Sequence, residues 1–258
     1  MLTSYGLGQY SGSAGATEAH QLALPRRYKA DGSKRLVVWC HSAGGLATEP
    51  FIAANLALPT IAAVVETLGL PLISFDGAIP SGGLAQHWGN DTSQARLTDA
   101  IAFMQTQVNA KVDKIILLGV SMGGMLALNW ARANPTKVAA LGLMYPATSL
   151  QAIHDATGGA AAGATSSIEA AYGGSLGTFN TAVAAHDPSQ NTGAIAGLSA
   201  PAKMWYSTAD TTVGTANQTA FATAVGAKLQ LGSLGAAAHA DMTQVPVVDL
   251  QRFAGSVP

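Results

Sequence analysis

Along the chain, short unbroken apolar runs alternate with longer segments in which apolar residues recur every three or four positions. Residues 36–40, Leu-Val-Val-Trp-Cys, form the first run, and residues 70–75 the second. The clearest is 114–120, where Ile115, Ile116, Leu117 and Leu118 stand side by side. A strand without alternating polar positions must be covered on both faces. Residues 138–145 and 203–207 repeat the pattern, and 228–231 is a weaker copy. Between the runs, 50–68 carries helical periodicity, and so does 91–108 behind a capping Asn90. A further helix is expected over 122–134, stopped by Pro135, whose ring cannot continue it. The last, 246–253, opens on a proline, which suits the first helical turn. Strands alternating with helices predict an α/β fold, a mostly parallel central sheet with helices on both faces. Residues 20–29 are expected to add an antiparallel edge strand.

One stretch breaks the rhythm. From about 148 to 200 the chain is rich in Ala, Gly, Ser and Thr, with helical pieces around 168–172 and 179–186 and no strand-like run. It is too long for a bare connection. A small cap or a long loop, inserted into one domain spanning 1–258, is expected.

Composition narrows the function classes. Hydrophobic residues make up 48% of the 258, enough for a sizeable core, while charged residues are only 10% and the net charge is −1. So little charge leaves no electrostatic footprint for nucleic acid or anionic lipid. The single cysteine, Cys40, excludes an internal disulfide and reads as a small buried hydrophobe. No run reaches the ~18 apolar residues of a membrane span, and the first residues lack the basic start of an export signal. A soluble protein, cytoplasmic or virion-associated, is the expectation.

The chemistry centres on Gly119-Val120-Ser121-Met122-Gly123-Gly124, set between the best strand and a good helix. A serine held at so tight a strand-to-helix turn needs neighbours without bulk two positions before and after it, and Gly119 and Gly123 supply that. The following helix then aims its free N–H groups, Met122 first, at charge developing beside the serine oxygen. A serine needs a base held by an acid. Asp210 stands just past the 203–207 strand, and His239 follows the last strand among small residues. Asp155 and Asp187 read as surface caps or turns, and Asp241 as a helix cap. His20 and His87 read as loop or edge surface, and His154 and His186 as solvated or substrate-contacting. Histidine and aspartate occur in pairs (His154-Asp155, His186-Asp187, His239 and Asp241) without further ligands at metal-site spacing. Neither a metal nor a cofactor is expected.

Ser121, Asp210 and His239, in that order at strand ends, resemble the α/β-hydrolase superfamily. Asn134-Pro135-x-x-Val138 resembles its helix-to-strand connection, and His41-Ser42-Ala43-Gly44-Gly45 its His-Gly-x-Gly oxyanion loop. The resemblance implies a serine nucleophile, an Asp-oriented histidine base and an oxyanion hole made by the Ala43 and Met122 N–H groups. Ser42 replaces the family's usual glycine, which leaves Ala43 and Gly44 as alternatives for the loop's donor; His41 reads as structural. Hydrolysis of a small-molecule acyl ester is the implied reaction, with a peptidase or amidase on the same residues as the alternative. Ile168, Tyr172 and Phe179 are the candidate walls of its pocket. The low-charge composition is also similar to hydrolase-like domains of actinobacterial phage tails, which implies a second alternative, a virion part acting on or binding the cell envelope.

Overall fold

The apolar runs become the middle of an eight-stranded sheet. The computed structural model describes residues 4–11, 17–51, 62–77, 86–156 and 163–257. The strands are β1 (Ser4–Ser11), β2 (Thr17–Leu24), β3 (Arg35–Cys40), β4 (Leu72–Phe75), β5 (Lys111–Val120), β6 (Val138–Met144), β7 (Ala202–Tyr206) and β8 (Leu229–Ser233). Their spatial order is β1-β2-β4-β3-β5-β6-β7-β8. β3 to β8 run parallel, whereas β1 pairs antiparallel with β2 and β2 antiparallel with β4. The antiparallel strand expected over 20–29 is therefore interior, and β1 is the edge.

The helices that follow are α1 (Asp91–Val108), α2 (Met122–Ala133), α3 (Leu150–His154), α4 (Thr165–Ala171), α5 (Leu176–His186), α6 (Thr192–Ala196), α7 (Thr215–Val225) and α8 (Val247–Gly255). Asn90 caps α1 by accepting the Ser93 N–H at 2.9 Å. Of the helix expected over 50–68, the described ends are a 3₁₀ turn, Glu49–Phe51, and a π-helical turn, Ala62–Thr67. The rest of that expectation lies outside the described residues.

Why the central strands carry no polar alternation is visible in the packing. Leu36, Val38, Ile115, Leu117, Leu141 and Leu143 face one side, against Leu97 and Met104 of α1, Leu126 and Trp130 of α2 and Phe221 of α7. Their neighbours Val37, Trp39, Ile116, Leu118 and Met144 face the other, against Val64, Val65, Leu250 and Phe253. Both faces are dry, and each fully buried aliphatic side chain contributes on the order of 2 kcal/mol. The rigid result places the carboxyl ends of β3, β5, β6, β7 and β8 along one edge.

Above that edge, the stretch expected as a cap or loop holds four short helices, α3 to α6, and a 3₁₀ turn, Pro188–Gln190. No strand occurs there among the described residues. Ile153, Ile168, Phe179 and Val183 join Trp88, Met122, Met125, Leu150 and Val213 in a third apolar cluster. This cluster fastens the segment to α2 and to the loop after β7.

Candidate active site

Ser121 occupies the turn between β5 and α2 with φ 52° and ψ −118°, a left-handed conformation costly for a residue with a side chain. The turn is held open by backbone bonds: the Ser121 N–H donates to Met144 O at 3.0 Å, and the Ser121 carbonyl accepts from Gly124 and Ala147, each at 2.9 Å. Two glycines make it sterically possible. A Cβ on Gly119 would lie 2.5 Å from Gly123 O, and one on Gly123 would overlap the Cys40 carbonyl. The turn is thus pressed against the end of β3, and that contact brings Ser121 beside the 41–45 loop. Ser121 is 6% exposed.

His239 lies in the loop after β8, its Nε2 2.8 Å from Ser121 Oγ. Its Nδ1 is 2.8 Å from Asp210 Oδ2. Because a carboxylate only accepts, the ring proton sits on Nδ1 and Nε2 is left to accept the serine proton. Asp210 is buried in the turn after β7, and its Oδ1 accepts the N–H groups of Thr212 and Val213 at 2.9 and 3.1 Å. Burial disfavours its charge. The hydrogen bond and charge of His239 outweigh this, with help from those two N–H groups, and hold the carboxyl below the usual carboxylate range.

The acid and base loops are tied together by Ser207, whose hydroxyl donates to Ala237 O at 2.6 Å and accepts the Ala209 N–H at 3.0 Å. Tyr145, at the end of β6 with φ 48°, sets its ring edge-on to His239 and donates its hydroxyl to Asp241 O at 2.7 Å. Asp241 itself caps the turn Met242–Gln244 through Thr243 N, as expected, and turns its carboxylate to Thr243. Ser207 and Tyr145 carry no sequence signal as supports. Each works through backbone atoms of a loop that periodicity cannot place.

A cavity of about 400 Å³ opens beside these groups, lined by Ser42, Ala43, Gln86, Trp88, Ser121, Ile153, Gly163, Ala164, Thr212, Val213, His239 and Ala240. Ala43 lines it from the loop after β3. Met122 begins α2, so its N–H has no acceptor within the helix. Both expected oxyanion donors therefore border the region of Ser121.

The three expected pocket walls do not line this cavity among the described residues. Ile168 and Phe179 are fully buried in the third apolar cluster, behind Trp88 and Ile153. Tyr172 donates its hydroxyl to Trp88 O at 2.7 Å, and its ring meets Phe179 edge-on. Burial pushes that hydroxyl's pKa up. The helical pieces were legible, but their apolar faces turn inward because the cap needs its own core.

His20 and His87, expected at a loop or edge surface, and His154 and His186, expected to be solvated or to contact substrate, are buried as well. His20 of β2 faces Gly8 and lies against Phe103 at 4.5 Å between ring centroids. His87 meets His41 edge-on at 5.3 Å; burial and the His41 ring hold it well below the usual range. His154 stacks on Phe179 at 4.0 Å between centroids, and His186 reaches Asp91 at 2.9 Å. Asp187, expected as a surface turn, is also buried and accepts the Gln151 and Ser189 N–H groups at 2.9 Å. His41 is structural, both ring nitrogens lying within 2.9 Å of the carbonyls of Ser42 and Asp76. Cys40 is buried, and burial pushes its thiol pKa up.

Among the described residues no group of three or more His, Cys, Asp or Glu side chains could hold a metal ion, and no helix is long and apolar enough to cross a membrane.

A family model described as serine aminopeptidase, S33, matches residues 80–191, less than half of the chain. No curated protein matches it in sequence. Among solved structures, an S-formylglutathione hydrolase from Agrobacterium tumefaciens is similar with a TM-score of 0.70 and 14% identity, over 98% of this chain and 92% of that one. An esterase from Pyrococcus furiosus gives 0.66 and 16%, over 98% and 91%. A candidate dipeptidyl aminopeptidase IV from Bacteroides ovatus gives 0.74 and 10%, over 99% of this chain but only 36% of that longer one. At these identities the likeness speaks to the fold. Strand order, the glycine-flanked serine turn and the likeness to these structures agree, and the chain has the α/β-hydrolase fold.

Proposed function

We propose that the chain is a serine hydrolase that cleaves small, uncharged carboxylic esters through an acyl-enzyme. The observation that carries this reading is the pair of 2.8 Å hydrogen bonds joining Ser121 to His239 and His239 to Asp210. Ser121 Oγ attacks the acyl carbonyl as His239 Nε2 takes its proton, and Asp210 holds the ring and stabilises the imidazolium. The carbonyl oxygen, now an alkoxide, is met by the Met122 and Ala43 N–H groups, each worth on the order of 3 kcal/mol in the transition state. His239 returns the proton to the leaving alcohol. Water, activated by the same imidazole, then attacks the acyl-enzyme and frees Ser121.

Charge supports an ester over a peptide with a free N-terminus. Among the described residues lining the cavity, none apart from His239 is ionisable in the neutral range. Segments 52–61, 78–85 and 157–162, which flank the site in sequence, contain no Asp, Glu, Lys or Arg. An aminopeptidase must take an α-ammonium out of water, which costs several kcal/mol unless a carboxylate receives it. Among the described residues the lining offers no such carboxylate. The Asp210 carboxylate is buried and bonded to His239.

Paired substrates with one leaving group test this directly. We expect p-nitrophenyl propionate to be preferred over the p-nitrophenyl ester of alanine by about 10-fold or more in kcat/KM. Ser121→Ala should lower kcat by at least about 10⁴-fold with little change in thermal unfolding. Preference for the ammonium-bearing ester, or for alanine p-nitroanilide, would give the aminopeptidase reading instead.

A further inference from the structure

The loop after β3 is built around a buried acid. Glu49, 6% exposed, turns back into the loop, and its two carboxylate oxygens accept the Ser42 N–H at 3.1 and 3.0 Å. It also accepts the Ser42 hydroxyl, and the Trp39 indole N–H at 3.4 Å. Gly45 makes room for it, because a Cβ at that position would overlap Glu49 Oε2. The loop closes on itself through Gly45 N–H to Ser42 O at 2.9 Å, with Gly44 at φ 76° supplying the left-handed residue. From the other side, Asp76 at the end of β4 accepts the Ala47 N–H at 2.7 Å.

This bonding narrows the choice of oxyanion donor. The N–H groups of Ser42 and Gly45 are committed, one to Glu49 and one within the turn. Ala43 and Gly44 lie between them, and of these two Ala43 lines the cavity with Ser121 and His239. We propose that Glu49 is a positioning residue whose carboxylate, by holding both donors of Ser42, aims the Ala43 N–H at the oxyanion. The proposal rests on Ser121 being the nucleophile. A carboxylate suits the task because it only accepts, so one group can take an N–H and an O–H from the same residue. Bonds of this kind are charge-assisted and short. The Ser42 hydroxyl, spent on Glu49, is not a third donor to the substrate.

The test compares Glu49→Gln, Glu49→Ala and Ser42→Ala with the wild type. It measures kcat and KM on p-nitrophenyl acetate, the melting temperature, and the rate of phosphonylation by a fluorophosphonate, whose phosphoryl oxygen gains negative charge during attack and uses the same donors. Losing an oxyanion donor outright costs ~10²–10³ in kcat. Loosening one should cost about 10-fold in Glu49→Gln and about 100-fold in Glu49→Ala, with KM within threefold and phosphonylation falling in parallel. In a Ser42→Ala background the Glu49→Gln step should shrink to about threefold, since the hydroxyl it acts through is gone. A merely structural acid would lower the melting temperature and leave kcat of the folded enzyme unchanged. Should Glu49→Ala not fold, Glu49→Gln and Ser42→Ala carry the test. If folded variants keep kcat and phosphonylation within twofold of the wild type, Glu49 has no such role while Ser121 stands. If the wild type itself is not phosphonylated at Ser121, the nucleophile reading fails and this proposal with it.

Discussion

The turn carrying Ser121 and the helical segment between residues 148 and 200 border the same cavity, yet they are held in opposite ways. The turn is fixed by backbone. Three main-chain hydrogen bonds, the missing Cβ atoms of Gly119 and Gly123, and dry strands on either side leave it no slack. The helical segment is fixed largely by side chains. Asp187 holds the start of α3, the α5 residue His186 reaches Asp91 of α1, and Asn129 of α2 donates to His186 O at 2.9 Å. His154 joins α3 to Glu169 of α4. The difference is instructive. On the proposed function, the reacting groups, which must keep their geometry within a fraction of an ångström, sit on the rigid part, and the facing cavity wall sits on the part that side chains can retune.

If the turn is as tight as this, adding one methyl group should be the most damaging small change. Gly123→Ala places a Cβ into the Cys40 and His41 carbonyls, two backbone groups that cannot swing away. Ester hydrolysis should fall by about 10³-fold or more, as expected when both the oxyanion donors and the nucleophile shift. Circular dichroism alongside kinetics separates lost geometry from lost fold. Near-normal turnover would mean the turn has slack that the contacts deny.

The facing wall should tolerate an equivalent change and answer in specificity. Ala164, the residue before α4, lines the cavity opposite the reacting groups. Ala164→Leu should shorten the accepted acyl chain, lowering kcat/KM for hexanoate about 10-fold relative to acetate, as loss of room for one or two methylenes implies. A uniform loss across chain lengths would place Ala164 in positioning the chemistry instead.

The smallest expected effect is a pH dependence confined to the helical segment. Burial disfavours a charged His154, but the hydrogen bonds and charges of Asp155 and Glu169 outweigh it and raise its pKa. The ring's other close neighbour, Phe179, is neutral. A raised folded pKa means that this stabilisation is fully present below the ordinary histidine value of ~6.5 and is lost as pH rises through the folded value. The melting temperature of the wild type should therefore decline above about pH 6.5 relative to His154→Gln, by a few degrees at most. Parallel curves for the two proteins would remove His154 from the balance.

The same contrast explains what the sequence could and could not disclose. β3, β5 and β6 were legible because strands covered on both faces are unbroken apolar runs. That Ser121, Asp210 and His239 would meet was legible because Ser121 and Asp210 closely follow apolar runs, and His239 stands among small residues after the weaker run that becomes β8. β1 was not, since Ser4–Ser11 is half small or polar and earns its place only by pairing with β2. Glu49 carries no signal in the sequence, because its partner Ser42 lies in a loop without periodicity. In the helical segment, two partners of the buried histidines, Glu169 and Asp91, are 15 and 95 residues away, so no local pattern marks those contacts. The faces of α4 and α5 were misplaced for a related reason: a segment with its own core turns Ile168 and Phe179 inward, whatever cavity lies beside it.

The central proposal is that His239, 2.8 Å from Ser121 Oγ, makes that hydroxyl reactive. Treating the wild-type protein with a fluorophosphonate and locating the adduct by peptide mass spectrometry interrogates that hydroxyl without knowledge of the substrate. The expected result is one adduct on Ser121, formed within minutes and suppressed at least 100-fold in His239→Ala, as removal of the base requires. Modification of other hydroxyls only, or equal labelling of Ser121 with and without the imidazole, would contradict it.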